Sequence, residues 1–130
     1  MATPANTDLS TGIIVIIERD IVIANDLMEM FQEHDPQARV RLCRTMAQGL
    51  GLVGEAERVR ALITNLPPEQ IKAAGLAELV FQRGGHIVVV SGREEPSEDD
   101  PRWIFVQRFL TSALIATILR SIDAAGRLPG

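Results

Sequence analysis

The sequence predicts an α/β domain built on a single doubly wound sheet of five parallel strands. Five short runs of aliphatic and β-branched residues alternate with segments of helical spacing. Two of these runs, "GIIVII" and "HIVVVS", are almost wholly apolar, which is typical of strands that helices cover on both faces. Right-handed crossovers between such strands favour the order 2-1-3-4-5.

The length and composition of the chain suit one domain. Its 130 residues are 46% hydrophobic, with few aromatic side chains, so a sizeable aliphatic core can form. We predict a flexible N-terminus over residues 1–11, the domain over residues 12–125 and a C-terminal tail over residues 126–130.

The first strand and helix follow directly from the pattern of apolar residues. The run over residues 12–17 predicts a strand buried on both faces. The segment "ERDIVIANDLMEMFQEH" has helical spacing and ends at Asp35-Pro36. The predicted inward face consists of Ile21, Ala24, Leu27, Met28 and Phe31.

The second strand is predicted at an edge of the sheet. In "ARVRLC", residues 38–43, apolar side chains alternate with arginines, which indicates one solvated face. Thr45 can cap the next helix, "MAQGLGLVGEAERV", although its three glycines each cost about 1 kcal/mol relative to alanine.

The second half of the chain continues the alternation. Strand 3 is predicted over residues 59–63, and a single helix from Pro68 to Arg83 ends at Gly84-Gly85. Residues 86–91 and 103–107 predict strands 4 and 5. Between them a short acidic loop, Glu94 to Asp100, leaves too little chain for a full fourth helix. A last helix is predicted over residues 111–124, with an inward face of Leu114, Ile115, Ile118, Leu119 and Ile122.

Charge and hydropathy argue against several classes of partner. The net charge of −4 provides no basic surface for nucleic acid. The apolar runs are shorter than the roughly 20 residues of a membrane helix. No signal peptide is recognisable, and the single Cys43 fits a reducing compartment. We therefore expect a soluble cytoplasmic protein.

Ligands of doubly wound folds bind at the carboxyl ends of the strands, so the residues there are the candidates for chemistry. No glycine-rich phosphate loop follows strand 1, which argues against a nucleotide cofactor. His34, His86 and Cys43 lack the spacing of metal ligands, and no base lies near Cys43 in the sequence. We therefore predict neither a cofactor nor a metal.

Four stretches at these strand ends together resemble a receiver domain of the response-regulator, CheY-like family, over roughly residues 12–123. "IIVIIERDIVIANDLMEMF" resembles the opening strand, acidic pair and first helix of that family, and "ALITNLP" its third strand and the following loop. "IVVVSG" is similar to the fourth strand, and "FVQRFL" to the fifth strand and the start of the last helix. The resemblance implies the flavodoxin-like strand order already favoured above.

The resemblance also implies what each strand end would do. In the family, two acids hold Mg²⁺, an Asp after strand 3 accepts the phosphoryl group, and a hydroxyl residue and a lysine bind its oxygens. Glu18 matches the first acid, Arg19 stands at the second, and Asp20 comes one position later. Ile63 matches the phosphoacceptor, and Asn65 belongs to the loop after it.

The remaining positions of this pocket are preserved only in part. Ser91 matches the hydroxyl residue, Phe105 the aromatic that moves on activation, and Arg108 replaces the lysine. Ile63 has no nucleophilic oxygen, and replacing two anionic ligands by Ile63 and Arg19 removes the basis for Mg²⁺ binding. The resemblance therefore implies a receiver-like frame without phosphotransfer. Arg19 either fills the former metal position, paired with Glu18 or Asp20, or is an ordinary exposed residue.

We expect a pseudo-receiver, not an enzyme, that signals by binding a protein in a two-component phosphorelay. The expected partner is a histidine kinase, a phosphotransfer protein or a second copy, the last through the region of the final helix. Two alternatives remain open from the sequence. One is a flavodoxin-like ligand-binding domain or enzyme with a pocket of Glu18, Asp20, Ser91 and Arg108, and the other is a receiver phosphorylated at Asp20.

Overall fold

The computed structural model describes residues 12–91, 100–107, 115–120 and 122, and it contains one five-stranded parallel sheet. The strand order is β2-β1-β3-β4-β5, which confirms the predicted fold class. The strands are β1 (Ile13–Ile17), β2 (Arg39–Cys43), β3 (Val59–Thr64), β4 (His86–Ser91) and β5 (Trp103–Gln107).

Helices cover both faces of this sheet. They are α1 (Ile21–His34), α2 (Met46–Glu55), α3 (Pro68–Ala73), α4 (Leu76–Gln82) and a helical stretch over residues 115–120, which we label α5. Because neighbouring strand residues point to opposite faces, the core divides into two aliphatic clusters. One cluster lies under α1 and α5 and includes Ile14, Ile16, Ala61, Ile63, Val88 and Ile118. The other lies under α2, α3 and α4 and includes Val15, Ile17, Leu62, Val80, Ile87 and Val89.

The prediction that Ile21 faces the core is wrong. Ala24, Leu27 and Phe31 carry the buried side of α1, whereas Ile21 is 59% exposed. Ile21 has the right helical spacing but lies in the first turn, where it borders an open groove beside the strand ends. Its neighbours Val22 and Ile23 are also exposed, by 64% and 46%. The N-terminus of α1 therefore presents an apolar surface to solvent.

The cap of α2 is confirmed and is more complete than expected. The Gln48 main-chain N–H donates to the Thr45 hydroxyl at 3.2 Å, and the Gln48 side chain in turn accepts from the Thr45 N–H at 3.3 Å. This reciprocal pair is a capping box. It helps to fix the start of a helix that three glycines weaken.

One glycine of α2 has a packing reason and another has none. A Cβ on Gly49 would lie 2.5 Å from the Ile17 Cδ1, so the absence of a side chain lets α2 approach β1 closely. A Cβ on Gly51 would meet no atom within 4 Å. Gly51→Ala is therefore expected to raise the free energy of unfolding by about 0.5–1 kcal/mol, measured by urea denaturation.

Gly49→Ala is the matched control for that variant. It gains the same helix propensity but pushes into Ile17, so its stability should remain unchanged or fall. Equal gains for Gly49→Ala and Gly51→Ala would contradict the packing role of Gly49.

The single helix predicted between Pro68 and Arg83 is wrong in one respect, because the structure breaks it into α3 and α4. Ala74 ends the first helix, and Gly75 has a φ of 81°. A positive φ is left-handed backbone that glycine adopts without a Cβ penalty, so the chain can turn there. Pro68 does occupy the first turn of α3, as predicted.

The edge position of β2 is confirmed. Arg39 and Arg41 are exposed on β2, which pairs with β1 alone within the described sheet.

A part-buried ion pair connects β3 to the end of α1. On β3, Arg60 is an extra residue, because Ile13 pairs with Val59 and the next pair joins Ile14 to Ala61. The Arg60 guanidinium donates to the Asp35 carboxylate at 2.7 Å, with the Arg60 side chain only 7% exposed. This contact joins the end of α1 to the start of β3.

His86, at the start of β4, is a buried side chain whose protonation the fold opposes. It is 8% exposed, and its Nδ1 has no hydrogen-bond partner within the described part of the chain. Burial lowers the pKa of His86 below its usual 6.5, and Arg102 lowers it further, while Asp100 partly opposes the shift.

We expect the free energy of unfolding to fall as the pH drops below about 6.5. In that range the unfolded chain binds a proton at His86 before the folded chain does, so protons favour unfolding. The loss levels off below the folded-state pKa. His86→Val should flatten this part of a stability profile measured between about pH 7 and 5. An unchanged slope in His86→Val would assign the dependence to other groups.

Several predicted features fall outside the described residues. These are the flexible N-terminus, the tail, Arg108, most of the acidic loop and the beginning and end of the last helix. Of the predicted inward residues of that helix, Ile115, Ile118, Leu119 and Ile122 are buried, and Leu114 is among those not described.

Candidate functional site

The carboxyl ends of β1, β2 and β3 lie side by side. Ile17 pairs with Cys43 on one side and with Thr64 on the other. The Glu18 main-chain N–H donates to the Cys43 carbonyl at 2.9 Å. Glu18 and Asn65 therefore both follow residues that are paired in the sheet, and both lie at its carboxyl end.

The two acids after β1 stabilise the start of α1. The Glu18 carboxylate accepts from the Asp20 N–H at 3.0 Å. The Asp20 carboxylate accepts from the Val22 N–H at 2.9 Å and from the Ile23 N–H at 3.4 Å, which makes Asp20 the N-cap. Such caps contribute about 1 kcal/mol to helix stability. Both acids therefore stabilise the start of a helix. This role was not expected from the sequence, although an Asp directly before a helical run is a known signal of an N-cap.

Arg19 lies between these two acids in the sequence. It is exposed, and these three described side chains form no ion pair with one another. The hypothesis of an Arg19 paired with Glu18 or Asp20 in a former metal position therefore has no contact to support it. The geometry instead fits an ordinary exposed residue at a strand–helix junction.

Ile63, which the resemblance matches to a phosphoacceptor, is a core residue. It is 1% exposed and lies in register with Ile16 on β1 and Val88 on β4. Its side chain belongs to the cluster under α1 and α5. An isoleucine here fills space among aliphatic neighbours, and it offers no group for phosphoryl transfer.

The residues after Ile63 form the turn that leaves β3. The Thr64 hydroxyl accepts from the Leu66 N–H at 3.1 Å, and the Thr64 side chain is buried. Asn65 is exposed. This local hydrogen bond is typical of Ser and Thr in turns. The Thr64 hydroxyl therefore stabilises the turn by accepting from the main chain.

The candidate residues at the ends of β4 and β5 lie on neighbouring strands, and the structure describes only part of them. Ser91 is the last residue of β4 and pairs with Gln107, the last residue of β5. Phe105 is half-buried, lies in register with Val89 and stacks on Trp103 with ring centroids 6.3 Å apart. Arg108 follows β5 directly and lies outside the described residues.

An open groove of about 530 Å³ lies beside the carboxyl ends of β1 and β2, between α1 and α2. It lies at the carboxyl end of the sheet, where doubly wound folds bind ligands, but on the β2 side of β1 and not at the point between β1 and β3 where the strand order reverses. A groove between α1 and α2 was not expected from the sequence, which placed Ile21 in the core and lined the alternative pocket with Glu18, Asp20, Ser91 and Arg108. Its lining residues are Glu18, Ile21, Ala24, Leu42, Cys43, Arg44, Gln48, Gly51, Leu52 and Glu55.

Cys43 lines this groove but is a poor nucleophile. It is 7% exposed, and its thiol donates weakly to the Thr45 carbonyl at 3.9 Å. Burial raises the pKa of the Cys43 thiol, and the contact with Thr45 only partly offsets the shift. Cys43 therefore fits the small apolar residue expected from the sequence.

Within the described ranges, no three His, Cys, Asp or Glu side chains are grouped as a metal site would require. The helices of that same part of the chain are all too short or too polar to cross a bilayer. Comparisons of the chain with models of protein families, with curated proteins and with solved structures found no match.

Proposed function

We propose that this protein is a pseudo-receiver, a receiver-like module that signals by binding a protein and without being phosphorylated. The observation that carries the proposal is the burial of Ile63 among Ile16 and Val88, at the position that the sequence resemblance matches to a phosphoacceptor. The strand order supports the same frame. The proposal includes a cytoplasmic location, which fits a single free thiol.

The surface around the strand ends suits protein binding better than catalysis. Ile21, Val22 and Ile23 are exposed large aliphatic residues at the start of α1. Contiguous exposed apolar side chains commonly mark interaction sites. The neighbouring acids, Glu18 and Asp20, hold the first turn of α1 in place, so this surface is preformed. We propose that a histidine kinase or a phosphotransfer protein binds there.

The first test asks whether the pocket still responds to activating ligands. Trp103 is buried and stacked on Phe105, so its fluorescence reports on β5. We expect no saturable change with Mg²⁺ and beryllofluoride, and no stable label from acetyl phosphate. A saturable response, or a label lost in Asp20→Asn, would favour the alternative of a displaced phosphoacceptor.

The second test asks whether the apolar surface selects the partner. A triple variant, Ile21→Ser with Val22→Ser and Ile23→Ser, should lose the kinase or phosphotransfer protein that wild type enriches from its native cytoplasm. Gln32→Ser, at an exposed position of the same helix, is the matched control and should retain it. Equal enrichment by wild type and the triple variant would contradict binding at this surface.

A second candidate function is a small-ligand-binding domain, and the groove between α1 and α2 favours it. Its volume lies in the range of ligand pockets and its lining is mostly apolar. Of the four residues expected to line such a pocket, Glu18 lines this groove. A small molecule that copurifies with wild type, detected by native mass spectrometry, would support this candidate over the pseudo-receiver.

A further inference from the structure

The two edges of the sheet differ in how well they resist pairing with another strand. Free strand edges bind other strands unless charges, proline or bulges prevent it. The outer edge of β2 carries the exposed side chains of Arg39 and Arg41. The strand β5, "WIFVQ", has no ionisable side chain and no proline, and β4 is its one neighbour in the described sheet.

The main-chain hydrogen bonds of β5 show which of its groups face outward. The Ile87 N–H donates to the Arg102 carbonyl at 2.8 Å, while Ile87 lies in register with Trp103. In a parallel ladder a residue bonds to the two residues that flank its register partner. The main-chain groups of Ile104 and Val106 therefore point toward β4, and those of Phe105 and Gln107 point toward the open edge.

We propose that two copies of this chain pair through β5, antiparallel and about a two-fold axis at Phe105, to form one continuous sheet. The outward main-chain groups of Phe105 then bond to those of Phe105 in the second copy. The Gln107 N–H of each copy reaches the Trp103 carbonyl of the other. Because the Trp103 N–H already donates to the Asp100 carbonyl at 3.0 Å, the pairing forms about four main-chain bonds.

The side chains of β5 suit this arrangement on both faces. Phe105 meets its own copy on the face of Trp103, and aromatic cross-strand pairs stabilise sheets. On the opposite face Ile104 meets Val106 of the other copy. The side chains of Ile104, Phe105 and Val106 are half-buried, and pairing would remove more of their surface from water. The same antiparallel pairing between two copies of β2 would place arginines opposite each other. A symmetric dimer is therefore more favourable through β5. This contact differs from the last-helix contact expected from the sequence.

The test uses the symmetry of the proposed dimer, in which residue 105 of one copy lies opposite residue 105 of the other. We expect wild type to form a dimer in sedimentation velocity measurements at raised concentration. Phe105→Lys and Phe105→Glu should each weaken the dimer by ~100-fold, because like charges are then opposed. An equimolar mixture of the two variants should restore a heterodimer, because lysine then faces glutamate.

Two controls keep the proposal falsifiable. Arg41→Gln, on the other edge, should leave the dimer intact. If the charged variants do not fold, amide hydrogen exchange of the wild-type protein tests the pairing instead. The exchange of the Phe105 and Gln107 amides should slow as the protein concentration rises. A monomer at all concentrations, a dimer that persists in both charged variants, or unprotected amides in a dimer would each overturn pairing through β5.

Discussion

Ile63→Asp is expected to destabilise the fold by about 4 kcal/mol or more and to restore no phosphorylation. The substitution places a carboxylate among the Ile16 and Val88 side chains, in a position that is 1% exposed. Urea denaturation near neutral pH measures the loss. Because burial would raise the pKa of the new carboxyl, the deficit should shrink at acidic pH, where the group is neutral.

Two matched variants separate charge burial from other effects of this change. Ile63→Val removes one methylene from the same site and should cost about 0.5–1.5 kcal/mol. Asn65→Asp introduces the same charge two residues later at an exposed position, where the effect should stay within about 0.5 kcal/mol. An Ile63→Asp protein as stable as Ile63→Val, or one labelled by acetyl phosphate, would contradict our account of the site.

Asp35→Ala is expected to lower the free energy of unfolding by about 2 kcal/mol, the loss of a part-buried hydrogen bond between charged groups. The variant removes the carboxylate that lies 2.7 Å from the Arg60 guanidinium, and the Arg60 side chain is only 7% exposed. It also removes an acceptor for the Gln37 N–H beyond α1. Chemical denaturation of wild type and variant gives the difference directly.

The described chain offers both a control and a rescue for Asp35→Ala. Asp100→Ala breaks the solvent-exposed pair of Asp100 with Arg102, at 2.6 Å, and should cost at most about 1 kcal/mol. Adding Arg60→Met to Asp35→Ala removes the buried charge and should recover part of the loss. A cost for Asp35→Ala no larger than that for Asp100→Ala would show that the Arg60 guanidinium does not depend on Asp35 for its stabilisation.

Hydrophobic patterning was sufficient to predict the architecture because it reports directly on burial. The runs around Ile14 and Val88 are apolar on both sides, and both lie inside a sheet that helices cover. The alternation of arginines with Val40 and Leu42 likewise predicted an edge strand. Patterning is less informative at helix ends, where the same periodicity continues into the exposed first turn. Ile21 was misplaced for that reason.

The details of the candidate site depend on contacts that sequence spacing does not determine. The hydrogen bond that the Glu18 carboxylate accepts from the Asp20 N–H depends on the local path of the chain after β1. The break at Gly75 depends on a left-handed residue, and glycine permits but does not require that conformation. The part-buried pair of Asp35 and Arg60 involves a bulge residue of β3, and no periodicity in "RVRALIT" indicates it.

That ion pair also bears on how the molecule opens locally. Asp35 and Arg60 are 25 residues apart, and the chain between them contains β2 and α2. With the pair intact, this segment can detach from β1 only as a closed loop with fixed ends, so it gains less conformational entropy than a free segment would. In native-state hydrogen exchange, β2 and α2 should therefore behave as one opening unit, whose opening becomes easier in Asp35→Ala.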